Sequence, residues 1–69
     1  MFNRLKELRI KNNYTQYDIA KFLEITRPLY SLYETGKREI PVKLLSKLAK
    51  FYGTSIDYIV GDTNRFKPH

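Results

Sequence analysis

Apolar positions recur at helical spacing along nearly the whole chain, and no run alternates at period two for long enough to build a sheet. Leu5 and Leu8 stand three apart, with Arg4, Lys6, Glu7 and Lys11 mostly outside, which predicts a first helix over 2–11. Asn12 and Asn13 end it, because Asn tolerates the left-handed backbone of a helix terminus. Thr15 opens a second helix as its N-cap, and Ile19, Ala20, Phe22 and Leu23 supply the apolar side. Thr26 opens a third, where Pro28 fits a first turn that needs no N–H there. Tyr30 and Tyr33 point back to the core from this helix, and Gly36 closes it. A fourth helix begins near Pro41, carries Leu44, Leu45, Leu48 and Tyr52, and stops at Gly53. Ser55 caps a short fifth, with Ile56, Ile59 and Val60 facing inward or toward a partner, and Gly61 ends it. The fold class is therefore all-α, with five helices over 1–61 and a polar tail over 62–69 that ends Lys67-Pro68-His69.

Only Glu24 and Ile25 separate the second and third helices, so the two must cross steeply, in helix-turn-helix geometry. Ala20 agrees with this, since a backbone passing close to that position leaves no space for a larger side chain. Composition narrows the chemistry. At 69 residues the chain holds one domain, too small for a deep catalytic cleft. It has no Cys, which excludes disulfides, thiolate metal sites and cysteine nucleophiles, and its one His is the last residue, His69, to which no role is assigned. No metal, cofactor or small-molecule effector is evident, and the chain is not expected to be an enzyme. No apolar run reaches membrane-spanning length and the N-terminal residues are no signal peptide, so a cytoplasmic protein is expected. Thirteen Lys and Arg against seven Asp and Glu give a net charge of +6, which points to an anionic partner.

The ordered set Tyr14-Thr15-Gln16, Ile19-Ala20, Leu23, Ile25-Thr26-Arg27, Ser31, Tyr33-Glu34 and Gly36-Lys37 resembles the Cro/CI-type helix-turn-helix family of lambda-repressor-like DNA-binding domains. The likeness continues through Pro41, Leu44, Leu48-Ala49, Tyr52-Gly53, Ser55, Asp57-Tyr58 and Gly61, about nine-tenths of the chain. That resemblance implies a bacterial or phage regulator, usually dimeric, that binds operator DNA. The chain departs from the pattern at Glu24, where Gly is common, and in the apolar character of Leu29, Tyr30 and Leu32.

Helix-turn-helix proteins set the second helix of the motif in the major groove. Here its exposed face is Arg27, Pro28, Ser31 and Leu32. Arg27 is the candidate for bidentate pairing with guanine, with a phosphate contact as the alternative, and Pro28 and Leu32 can touch thymine methyls. Thr15 and Gln16 lie at a helix N-terminus that favours an anion, and the resemblance implies that Gln16 contacts a phosphate and braces the recognition helix. Plain capping with Gln16 solvated is the alternative. Thr26, Lys37, Arg38 and Arg4 complete the candidate phosphate contacts. By resemblance, Arg9 and Glu34 form a partly buried salt bridge.

Tyr14, Tyr30, Tyr33, Tyr52 and Phe22 are expected to fill the core rather than stack on bases. Tyr58, Ile59 and Val60 are the candidate interface of a homodimer, the alternative being that the fifth helix completes the monomer core. Lys43, Lys47 and Lys50 read as a solvated face. The expected function is a sequence-specific double-stranded-DNA-binding regulator, a repressor acting as a dimer on a pseudo-palindromic operator. The alternative is an antitoxin or protein-interaction module that binds DNA secondarily.

Overall fold

The computed structural model describes residues 3–66, which form five helices: α1 (Leu5–Lys11), α2 (Gln16–Leu23), α3 (Arg27–Glu34), α4 (Val42–Tyr52) and α5 (Ile56–Val60). No strand occurs among the described residues. The Phe2 end of the predicted first helix and residues 67–69 of the predicted tail lie outside them. α1 starts at Leu5 because tertiary ties hold the residues before it. The Asn3 side chain accepts from the Leu5 N–H and donates to the Tyr33 carbonyl, while the Arg4 N–H donates to the carbonyl of Ile59.

Local chemistry sets most of the other ends. Thr15, Thr26 and Ser55 each accept an N–H from the first turn of their helix. At Thr15 the exchange is reciprocal, since Asp18 accepts the Thr15 N–H in return; those bonds hold its carboxyl below the usual range. Asn13 takes φ +62° after α1, and Gly36 takes φ +76° one residue beyond the Thr35 cap of α3.

The core gathers Leu5 and Leu8 from α1, Ile19, Ala20 and Leu23 from α2, Tyr30 and Tyr33 from α3, Leu45, Leu48 and Ala49 from α4, and Ile59 from α5, with Ile40. Two expectations are corrected. Tyr14 is not a core residue: it is exposed and stacks against Phe51, which also packs on Phe22 and Tyr52 to form an outer aromatic layer. Phe22, Leu44 and Tyr52 are half-buried against the core's edge, while Leu45, Leu48 and Ala49 face inward from α4.

Candidate nucleic-acid interface

The crossing of α2 and α3 begins at Glu24, whose backbone is left-handed at φ +60° and ψ +40°. This turn lets the Ile25 N–H donate back to the Ala20 carbonyl at 3.0 Å, and Thr26 then caps α3. Ala20 is buried where the helices meet. With Tyr30 and Tyr33 anchored in the core, helical periodicity leaves Arg27, Pro28 and Leu32 exposed and Ser31 half-buried. Arg27 and Pro28 occupy the first turn of α3, so they stand exposed at the N-terminal end of the helix.

A polar hub fixes the last turn of the same helix. Arg9 donates through Nε to Glu34 Oε2 at 2.9 Å and through a terminal nitrogen to Oε1 at 3.0 Å, a bidentate pair whose carboxylate is almost wholly enclosed. The Gln16 amide donates to Glu34 Oε1 at 3.3 Å, and the guanidinium also donates to the Tyr14 carbonyl. Three elements are thus tied to one carboxylate: α1 by Arg9, α2 by Gln16, α3 by Glu34. Burial pushes the Glu34 carboxyl up, but the bonds from Arg9 and Gln16, with the Tyr30 hydroxyl close by, outweigh it and hold the group below the usual carboxylate range. The hydrogen bond to Glu34 correspondingly raises Arg9. The Tyr30 hydroxyl is buried near this carboxylate with no hydrogen-bond partner among the described residues, and burial first and Glu34 second push its pKa far up.

Beside this hub lies an open concavity of about 510 Å³ lined by Arg9, Thr15, Gln16 and Arg27, together with Lys6 and Tyr17. Helix geometry leaves the Gln16 and Tyr17 N–H groups without intrahelical partners, while that of Asp18 is taken by Thr15. Tyr14, Thr35 and the paired Glu34 carboxylate line it as well, so Lys6, Arg9 and Arg27 leave the lining net positive, which suits a phosphate. Lys6 and Tyr17 are not among the contacts expected from the sequence, since only tertiary packing sets them beside Arg27. Thr26 lines a neighbouring hollow shared with Arg27. Lys37 and Arg38 are exposed in the loop after α3, which is held to that helix by the Arg38 N–H on the Leu32 carbonyl.

The Arg4 guanidinium, a candidate phosphate contact, donates to the Tyr58 and Thr63 carbonyls and to Asn64 Oδ1 and lies over the Tyr58 ring. Ile59 cannot meet a second subunit, because it is fully buried in the core of its own chain. Tyr58 and Val60 remain half-buried. Among the described residues no group of acidic or histidine side chains could hold a metal, and no helix is long and apolar enough to cross a membrane.

The sequence profile of the helix-turn-helix family matches residues 5–59, from the start of α1 to α5. The chain belongs to the Cro/CI-type helix-turn-helix family. Within it, the chain is 43% identical over 61 residues to the SPbeta prophage-derived uncharacterized HTH-type transcriptional regulator YonR of Bacillus subtilis, covering 88% of this chain and 56% of YonR. It is 42% identical over 59 residues to the uncharacterized HTH-type transcriptional regulator MJ0272 of Methanocaldococcus jannaschii, covering 86% of this chain and 89% of that protein. The cryptic phage CTXphi transcriptional repressor RstR of Vibrio cholerae is 30% identical over 61 residues, 88% of this chain and 55% of RstR. The chain thus spans little more than half the length of YonR and RstR. In family terms, α2 and α3 are the helix-turn-helix and α3 is its recognition helix.

Proposed function

We propose that this chain is a sequence-specific double-stranded-DNA-binding transcriptional regulator, a repressor acting as a homodimer on a pseudo-palindromic operator. One observation carries this reading: the first turn of α3 presents Arg27 and Pro28 to solvent while the Arg9–Glu34–Gln16 hub locks the far end of the same helix. A helix fixed at one end and open at the other can enter a major groove without reordering. Arg27 reads guanine, Pro28 and Leu32 meet thymine methyls, and Ser31 lies beside them. Phosphates are held by Thr15, Gln16 and Thr26 at the two helix starts and by Lys37 and Arg38 beyond α3. The regulator names of YonR, MJ0272 and RstR support the same reading, the last being a repressor.

In a dimer the two recognition helices enter half-sites whose centres lie one helical turn, ~34 Å, apart. Selection of bound duplexes from a random pool tests this directly. The expected product is an inverted repeat with that spacing; a pool that stays random overturns sequence-specific binding. On the selected operator, Arg27→Ala is expected to lose ~1–3 kcal/mol of affinity and to relax preference at one base pair per half-site. A uniform loss over all sequences would instead make Arg27 a backbone contact.

A further inference from the structure

Tyr17 takes no part in the core and makes no bond to the Glu34 hub. It stands in the first turn of α2 and is 62% exposed, so the fold gains little from its ring. Two hollows meet at this side chain. The larger is the concavity beside the hub, which Tyr17 and Arg27 line together with Lys6 and Arg9. The smaller, of about 300 Å³, lies between α2 and the start of α3 and is lined by Tyr17, Ala20, Lys21, Ile25, Thr26 and Arg27. Tyr17 and Arg27 are the two residues common to both hollows, so their side chains together form the wall between them.

Among the described residues no hydrogen bond or ion pair holds the Arg27 guanidinium, so packing and charge decide where it points. Other cations line each hollow with it, Lys6 and Arg9 the larger and Lys21 the smaller. Like charge therefore opposes turning the guanidinium into either one. The face of an aromatic ring attracts it instead, and Tyr17 is the ring that both hollows share. We propose that Tyr17 is the positioning residue for Arg27: its ring carries the guanidinium and turns it toward a base edge rather than into the larger hollow. The proposal rests on the sequence-specific reading above. A tyrosine has only two side-chain torsions and makes a stiff wall, and an arginine restrained before binding loses less freedom when it meets its base.

Tyr17→Ala, Tyr17→Phe, Arg27→Ala and the double alanine variant, all in the full chain, test this on the duplex that the unaltered protein selects from a random pool. The readout is affinity for that duplex against one in which the guanine read by Arg27 is replaced. The unaltered protein is expected to prefer the guanine by about tenfold or more. Tyr17→Ala is expected to cut that preference about threefold or more, and Tyr17→Phe, which keeps the ring, to retain it. Preferences at other base pairs and the salt slope are expected to stay the same, because Tyr17 carries no charge. With Arg27→Ala already made, Tyr17→Ala is expected to add nothing. The exposed position of Tyr17 means that both its variants should melt as the unaltered protein does. Equal weakening of all sequences, or a loss that adds to that of Arg27→Ala, makes Tyr17 a DNA contact in its own right and overturns the proposal. A guanine preference untouched by Tyr17→Ala overturns it as well. A pool that stays random with the unaltered protein removes the sequence-specific reading instead, and the positioning role with it.

Discussion

Glu34 joins three helices through one carboxylate, and this makes it the residue on which orientation of the recognition helix depends. Arg9→Ala leaves that carboxylate enclosed and unpaired, which costs roughly 3 kcal/mol or more. For a domain of this length each kcal/mol shifts Tm by about 4–8 °C, so the melting point is expected to fall by more than ~10 °C, with DNA affinity lost alongside. A melting curve equal to that of the unaltered protein would show that the pair holds nothing. Acid acts on the same group. Its pKa is depressed in the folded protein, so the stability it contributes is fully present above the ordinary glutamate pKa and is lost as pH falls through the folded value. Urea midpoints are therefore expected to drop as pH falls below the ordinary glutamate pKa of about 4.3, and Glu34→Gln to flatten that drop. The pairing of Arg9 with Glu34 was visible through family resemblance. That resemblance also implied that Gln16 braces this helix, but not that it does so through the Glu34 carboxylate, 18 positions away in sequence.

At the scale of elements, the turn between α2 and α3 decides whether the motif exists. Glu24 holds a left-handed backbone that a glycine would adopt without strain, at a cost of about 1–2 kcal/mol for an ordinary residue. Glu24→Gly is accordingly expected to leave the melting point unchanged or slightly raised, since relief of strain is partly offset by a freer unfolded chain. Glu24→Val, which adds β-branching at positive φ, is expected to lower it by several degrees. Equal melting points for the two variants would mean that the left-handed turn is not maintained in solution. Helix ends were legible because caps are local: Thr15, Thr26, Ser55, Gly53 and Gly61 act within a few residues of themselves. The start of α1 was less legible, because Asn3 and Arg4 are held by Tyr33 and Ile59, far along the chain.

For the whole molecule, the excess of positive charge predicts a steep response to salt. If Lys37 and Arg38 of both subunits neutralise phosphates, the logarithm of affinity should fall against the logarithm of salt with a slope of about −3 to −4. Lys37→Ala and Arg38→Ala should each make that slope shallower, and a slope near zero would remove these residues from the interface. By itself the sequence determined the five helices, the tight link that crosses two of them, and the outward face of α3, all of which follow from spacing and caps over a few residues. Only the tertiary structure decided which exposed-looking groups are free to act. Arg4 carries one of the charges that point to an anionic partner, yet its donors meet carbonyls of residues more than fifty positions away. Ile59 sits on an amphipathic helix whose apolar side could face a partner or the core, and packing alone placed it inside. Periodicity says which side of a helix is apolar; what covers that side depends on the rest of the chain.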